Sequence, residues 1–476
     1  MNTVAYPKTL FVNLNPRPEW TPDRTIAFPN LGMLEVMSAV VHAGFPAEMM
    51  DLVVKPATVS DVVDRVLSGG FHVVALGAMT HMYWQVKPLV SAIKLHCPTV
   101  KIVVGGYIAL LPHNRLFSWT SVDLAVKGNG SQPMVAILEA LHCGEEPADI
   151  PGVVRRDSTG AVVETPVAHN RGDLTDEILI WNLFDMETYV SSAVNLKSHH
   201  LHSTEGLRFF PVTITQGCPF ACTFCSNNPE VRECFPYRRH SLTRTLRMIR
   251  ELRNRYRVNY IRFLDELSFA TVRDVEEMIS AIEEMGERGM IFDAIVRVGL
   301  FSAKHLPLLR RLRAAGFVKF YYSLESGDPE ILADMNKRIT VEDFLAQKSV
   351  LDEAGISSGT NIIIGYPRET PESIRRTMEV CRMAHLMPSV CFLLPIPGTE
   401  IYDQALERGL IGDEEDYLLH IGEQQFMKVN MTAMSDIELR ESALAELRRL
   451  RDNLGLTIPD ENLICSVRLS RRASPT

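Results

Sequence analysis

Three cysteines stand within eight residues, Cys218, Cys222 and Cys225, in the run Gln216-Gly217-Cys218-Pro219-Phe220-Ala221-Cys222-Thr223-Phe224-Cys225-Ser226. Thiolates are soft donors, and sulfur ligands this close together suit an iron-sulfur cluster or zinc. Three of them can hold three irons of a cubane and leave the fourth iron open to another molecule. Zinc would want a fourth nearby ligand, for which Cys234 is available, and cysteines merely buried among apolar neighbours would do no chemistry. The remaining six of the nine cysteines (Cys97, Cys143, Cys234, Cys381, Cys391 and Cys465) are scattered. In a reducing compartment that pattern points to metal rather than disulfides.

A ligand loop needs a rigid element to present it. The apolar run Val212 to Thr215 precedes this one and reads as a strand, so the cysteines stand at a strand's carboxyl end, where a barrel of alternating strands and helices does its chemistry. The alternation continues with strands Tyr260 to Leu264, Phe292 to Val296, Val318 to Ser323, Ser358 to Ile364 and Ser389 to Leu394, separated by helical stretches. Six such repeats predict a partial (β/α)6 barrel of the TIM type over residues 206–405. Residues 406–476 read as a small helical region ending in a basic, disordered tail at Arg471-Arg472-Ala473-Ser474.

Residues 1–145 alternate as well, which makes the chain α/β throughout and predicts a doubly wound, Rossmann-like parallel sheet at its start. Such sheets bind ligands beyond the carboxyl ends of their strands. The loops Gly77-Ala78-Met79-Thr80, Gly105-Gly106-Tyr107 and Gly128-Asn129-Gly130 fall there. Residues 146–205, with Pro147, Pro151 and Pro166, read as a linker with short strands, and His199, His200 and His202 in it read as exposed loop residues rather than metal ligands.

The cysteine spacing of three residues and then two, with an aromatic just before the last cysteine, resembles the signature of the radical S-adenosylmethionine superfamily. The resemblance implies a 4Fe-4S cluster on Cys218, Cys222 and Cys225. Its open iron would chelate the amino and carboxylate groups of S-adenosylmethionine (SAM), and its electron would break a carbon-sulfur bond to give a 5'-deoxyadenosyl radical. Further segments extend the likeness over residues 206–405. Asp265 and Glu266, ending the second strand, are the candidates for the SAM amino group. Arg297 after the third strand and Glu325 and Ser326 after the fourth are those for its carboxylate and ribose. Phe224 in the cluster loop, Ile363 and Gly365 in NIIIGYPRET, and Leu394 in LLPIPGT complete the implied SAM contacts.

An open alternating domain ahead of this barrel is similar to the cobalamin-binding branch of the superfamily. The matching segments are LGAMT, VVGGYIALLP and VKGNG, and the contacts implied are Met79, Thr80, Gly105, Gly106, Tyr107, Gly128 and Asn129, with glycines letting a flat macrocycle approach the backbone. Two departures stand out. The stretch Asp51-Leu52-Val53-Val54-Lys55 has no cobalt-ligating histidine, and Gly128-Asn129-Gly130-Ser131 stands where the branch often has Gly-Glu-Gly-Glu. What the branch implies is a methyltransferase acting, through the radical and methylcobalamin, on an unactivated carbon or phosphinate phosphorus of a small-molecule or natural-product intermediate. Oxidative cyclisation or ring contraction without methyl transfer is the alternative within the branch, and a non-catalytic cofactor-binding scaffold is the alternative outside it.

Composition narrows the partners. A formal net charge of -9 gives no basic field for nucleic acid, and no apolar run approaches the roughly 20 residues of a membrane span. No secretory signal opens the sequence, so a cytoplasmic location is expected, with flavodoxin or ferredoxin as the one-electron reductant. The basic stretch Arg232, Arg238, Arg239, Arg244, Arg247, Arg250, Arg253, Arg255 and Arg257 reads as a solvated helix face, with an anionic-substrate site as the other reading.

Overall fold

The computed structural model describes residues 6–16, 26–168, 178–195, 205–286, 289–422 and 426–464. His199, His200, His202, Cys465 and the basic tail lie outside the described residues. Along the chain come β1 (Thr9–Asn13), α1 (Leu31–His42), β2 (Ala47–Asp51), α2 (Val59–Gly69), β3 (Val73–Gly77), α3 (Tyr83–His96), β4 (Lys101–Gly105), α4 (Arg115–Trp119), β5 (Leu124–Val126), α5 (Ser131–Cys143), β6 (Val153–Arg156), β7 (Val162–Glu164) and α6 (Met186–Ser191). There follow β8 (Phe209–Val212), β9 (Thr215–Gln216), α7 (Pro229–Cys234), β10 (Arg238–Arg239), α8 (Leu242–Tyr256), β11 (Tyr260–Phe263), α9 (Val272–Met285), β12 (Ile291–Ile295), α10 (Leu306–Ala314), β13 (Phe317–Tyr321), α11 (Pro329–Asp334) and α12 (Val341–Glu353). The last are β14 (Ser357–Gly359), β15 (Asn361–Ile364), α13 (Pro371–Met383), β16 (Ser389–Phe392), α14 (Glu400–Glu407), α15 (Glu414–His420) and α16 (Asp436–Asn453). Two compact units result: residues 1–195 with 229–241 and 413–420, and residues 196–228 with 242–412 and 421–476.

The first unit is a seven-stranded sheet in the order β2-β1-β3-β4-β5-β6-β7. β1 to β5 pair in parallel, and β1 and β3 are buried strands of the apolar kind that sheets covered on both faces require. Strand order reverses between β1 and β3, which opens a crevice at the carboxyl ends of those strands. The stretch read as a linker contributes more than connection. β6 pairs antiparallel to β5 and β7 to β6, and the hydroxyl of Tyr189 on α6 donates to Asp51 Oδ2 at 2.7 Å. The valine-rich strands 153–156 and 162–164 and the fully buried Trp181 and Tyr189 tie it to the sheet by apolar burial, a pull that proline spacing does not reveal. Two remote segments also belong to this unit. Val231 and Cys234 of α7 bury against Leu110, and on α15 Glu415 accepts from Tyr83 (2.5 Å) and Lys87 while Glu414 takes Arg115 (2.6 Å).

The second unit holds five parallel strands ordered β14-β13-β12-β11-β8 and a parallel pair β15–β16, linked by a bridge between Glu325 and Ile362. Helices pack on the face carrying Phe320 and Tyr322, as the ring of Phe344 on α12 lies 5.4 Å from that of Tyr322. The strand expected over 358–364 is in fact two. At Thr360 the chain changes partners: its hydroxyl accepts from Leu324 N–H (3.0 Å) and its carbonyl from Ser389 N–H (2.9 Å). β14 therefore stays on β13 while β15 turns to β16, curving the sheet into the partial barrel. The C-terminal helix α16 buries Leu439, Leu447 and Leu450 and packs on α13.

Candidate functional site

Beyond β9 the backbone turns at Gly217, whose φ of 71° favours glycine, and enters the three-cysteine loop. The loop's peptide groups are hooked to fixed points. Asn227 Nδ2 donates to the carbonyls of Cys218 (2.8 Å) and Phe220 (2.9 Å), and Asn336 Nδ2 donates to that of Ala221 (2.8 Å). Thr223 N–H donates to Met335 O (3.1 Å), and its hydroxyl bonds Asp334 O (3.0 Å) and the Tyr366 hydroxyl. The turn after α11, where Asn336 takes a φ of 48°, is thus the shelf on which the loop rests. The sequence reading missed Asn227, Asn336 and Lys337.

All three thiols are free and half-buried. Burial pushes the Cys218 thiol up, with the neighbouring Cys222 and Glu266 charges adding to it and Arg297 opposing. Burial also pushes Cys225 up to about 11, opposed by Lys337. Thiols so desolvated lose their protons readily only to a metal, which is the chemistry expected of ligands. No three His, Cys, Asp or Glu side chains among the described residues converge on one point as a single bound ion demands. A cubane makes no such demand, since each thiolate takes a different iron, and three free thiols on one anchored loop fit it.

The SAM candidates divide. Asp265 and Glu266 part company directly after β11. Asp265 is buried, accepts the N–H groups of Ile214 (2.8 Å) and Thr215 (2.9 Å) on Oδ1, and is pushed up to about 7 by burial. Through Oδ1 it braces the strand that leads to the cluster loop, while Oδ2 has no hydrogen-bond partner among the described residues. Glu266 is exposed and its charge is felt at Cys218. Arg297 lies over the Phe220 ring at 3.6 Å and donates to the Lys337 carbonyl, and the cysteine charges partly offset the burial that lowers its affinity for a proton. Glu325 is buried and paired with Lys337 at 2.9 Å, and Lys337 in turn lies 5.9 Å from the Phe224 ring. Ser326 is fully buried and accepts from Asp328 N–H (3.1 Å) beside Thr377, an arrangement that caps a turn. Ile363 is half-buried and Leu394 buried, and Gly365 has a φ of 101°, a backbone that only glycine takes without strain.

In the first unit the cobalamin candidates all lie at the carboxyl ends of β3, β4 and β5. Gly106 has a φ of 84°, and a Cβ there would stand 2.6 Å from Ala78 O, so this glycine lets two neighbouring loops touch. At Gly105 a Cβ would meet nothing nearer than Val126 O at 3.9 Å, which leaves a backbone surface that a flat ring can approach. Met79 is exposed and Thr80 half-buried. Tyr107 stacks on Phe235 at 6.0 Å, and Gly128 is closed in by Val167 and the Cys234 carbonyl. Asn129 is exposed and accepts from Ser131 N–H (3.0 Å). Asp51, in the place where other cobalamin proteins begin their histidine motif, accepts from Asn13, Tyr189 and Val53 N–H. The open backbone at Gly105 and the apolar Met79 fit a macrocycle without a histidine ligand. Lys127, buried beside this loop and unnoticed in sequence, pairs with Glu164 (2.8 Å) and Glu230 (2.7 Å).

The arginine stretch is not one solvated face. Arg244 is buried and Arg232, Arg238, Arg239, Arg247 and Arg253 are half-buried; Arg250, Arg255 and Arg257 are exposed. No helix among the described residues is long and apolar enough to cross a membrane.

Comparison with known proteins agrees with this geometry. The family model described as B12 binding domain matches residues 26–138, and that described as Radical SAM superfamily matches residues 212–381. The chain is 23% identical over 387 residues to an uncharacterized methyltransferase, PH0819, of Pyrococcus horikoshii, covering 80% of each. It is 24% identical over 356 residues to the anaerobic magnesium-protoporphyrin IX monomethyl ester cyclase of Rubrivivax gelatinosus, where the match spans 72% of this chain and 60% of the cyclase. Among solved structures it shares the fold of the radical S-adenosylmethionine methyltransferase TsrM of Kitasatospora setae, with a TM-score of 0.64, 17% identity, and coverage of 85% of this chain and 77% of TsrM.

Proposed function

We infer that this chain, which belongs to the cobalamin-binding branch of the radical SAM superfamily, is a methyltransferase that acts on an unactivated centre of a small-molecule substrate. The observation that carries the reading is the anchored loop of three free thiols at the carboxyl end of a parallel strand, in a chain whose other unit is a B12-binding sheet. Bound to these residues, the cluster supplies the electron that cleaves SAM, and cobalamin supplies the methyl group. Cys218, Cys222 and Cys225 hold the iron. Glu266 receives the SAM ammonium group, since it is the exposed carboxylate whose charge reaches Cys218. Arg297, whose planar fork suits a carboxylate, binds the SAM carboxylate. The Glu325–Lys337 pair stands beside Phe224 and neutralises a charge in a site that must exclude water. The names of PH0819 and TsrM support methyl transfer. Residues 79–80, 105–107 and 128–129 receive cobalamin. A cytoplasmic location and a flavodoxin or ferredoxin reductant complete the reading.

The test is product analysis with anaerobically reconstituted, cobalamin-loaded protein. Reduced protein given SAM should form S-adenosylhomocysteine, from methylation of cobalamin, and cluster-dependent 5'-deoxyadenosine. The similarity to a cyclase supports a second reading, radical chemistry without methyl transfer, and 5'-deoxyadenosine with no S-adenosylhomocysteine would decide for it.

A further inference from the structure

On the face of the barrel sheet opposite its helices lies a cluster of charged side chains that the chemistry above does not use. Arg262 on β11 grips Asp293 on β12 through Nε (2.8 Å) and Nη2 (2.7 Å), and the Tyr260 hydroxyl donates to the same carboxylate at 2.5 Å. Arg262 Nη2 also donates to the Tyr321 hydroxyl at 3.0 Å. Beside them stands Lys319 on β13, its Nζ 4.4 Å from the centre of the Tyr321 ring. Among the described residues Lys319 makes no hydrogen bond and no ion pair. Two cations therefore stand beside one carboxylate, which Arg262 engages, and one positive charge is left over. Half-burial and the nearby Arg262 charge pull the Lys319 ammonium down to about 8.

Lys319 is turned to this face by a defect in the strand. Phe292 pairs with Phe317, but Asp293 pairs with Lys319, so β13 carries one extra residue at Val318. Phe317 stacks with Phe292 and Phe320 on the helix-covered face. Without the bulge Lys319, two residues on, would lie on that face too; with it, Lys319 joins Asp293 and Arg262. Room for it comes from Gly359 on β14, where a Cβ would stand 2.6 Å from the Tyr321 ring and 3.0 Å from Lys319 Cε.

We propose that Lys319, together with the Tyr321 hydroxyl, is the subsite that binds the anionic group, a carboxylate or a phosphoryl, of the substrate. The proposal rests on the reading of the barrel as a SAM-dependent active site. A half-buried ammonium has three donors to give, and the Tyr321 hydroxyl, which accepts from Arg262, keeps its own proton to donate. An unpaired cation in such surroundings is destabilising unless an anion joins it. Lys319 is in register with Asp293, which precedes Arg297 by four residues, and at about 3.3 Å of rise per extended residue the subsite lies roughly 13 Å from the SAM carboxylate site. The substrate class is accordingly an oxyacid whose reacting centre is separated from its anionic group by roughly that reach.

The test uses holoprotein under anaerobic conditions and trace acetylation by acetic anhydride, a neutral reagent, with each lysine read by peptide mass spectrometry. Acetylation of the exposed Lys304 in the same sample serves as the internal reference. Propionate or methylphosphonate, compared at constant ionic strength, should slow Lys319 at least about twofold, and the better of the two names the anion as carboxylate or phosphoryl. Propylammonium should not. The same anions should raise the melting temperature of wild-type and Lys319→Arg protein but not of Lys319→Met. Protection by neither anion, equal protection by propylammonium, or an undiminished anion shift in Lys319→Met would overturn the subsite. None of these readouts needs turnover, so absence of 5'-deoxyadenosine from the wild type would count against the functional reading alone.

Discussion

Asp265→Asn separates the two roles open to this carboxylate. In the folded chain Asp265 holds the N–H groups of Ile214 and Thr215, Oδ2 has no hydrogen-bond partner among the described residues, and burial pushes the acid up to about 7. An unfolded aspartate titrates near ~3.9. Between those values the folded state keeps the proton and the unfolded state releases it, so this group makes stability fall as pH rises, the reverse of a salt-bridged carboxylate. Integrated from pH ~5.5 to ~8, the linkage amounts to about 2 kcal/mol. Asparagine retains an oxygen for the two N–H groups and cannot ionise, so the variant escapes this loss. With about 2–4 °C per kcal/mol for a unit of this size, the melting temperature of the variant relative to wild type should climb about 4–8 °C over that pH range. Anaerobic calorimetry at the two pH values, with SAM binding measured alongside, makes the comparison. A difference that stays flat with pH, joined to SAM binding weakened about tenfold, would refute the bracing role and return Asp265 to the ammonium site.

Glu266→Gln should weaken SAM binding by one to two powers of ten, roughly the worth of a charge-assisted hydrogen bond, with the melting temperature unchanged; titration calorimetry reads the affinity. Cys222→Ala should abolish 5'-deoxyadenosine formation and the Mössbauer signal of a 4Fe-4S cluster, and full activity in it would remove the assignment. Asn336→Ala, which releases the Ala221 carbonyl, should speed loss of iron to a chelator several-fold while leaving the cysteines intact. Gly106→Val, placing a side chain against Ala78 O, should lower cobalamin retention through gel filtration; near-stoichiometric retention equal to wild type would mean that these loops do not form the site.

The cofactor chemistry was legible in the sequence because it depends on spacing along one loop. Cys218, Cys222 and Cys225 need no distant partner to be recognised, and the period of strands and helices announces both parallel sheets, since buried parallel strands are apolar throughout. The acidic pair was legible only as a pair. Asp265 and Glu266 are adjacent and chemically alike, and which one turns into the core depends on the N–H groups of Ile214 and Thr215, which lie 50 or more residues earlier.

What the sequence by itself determined is therefore local: the three-cysteine loop, the loops at the carboxyl ends of β3, β4 and β5, and the order of the two folds. What only the tertiary structure decided is whatever depends on contacts between remote segments. The strand expected over 358–364 divides at Thr360 because Leu324 and Ser389 claim its hydroxyl and carbonyl. Residues 153–156 and 162–164 join the first sheet, and Trp181 and Tyr189 are buried, the latter bonded to Asp51. Lys319 turns from the helix layer to the charged face because one extra residue in β13 reverses the alternation of its side chains. Hydrophobic burial is non-directional and hydrogen bonding across a sheet ignores sequence distance, so the period of apolar residues marks which runs are buried but not which remote segment covers them.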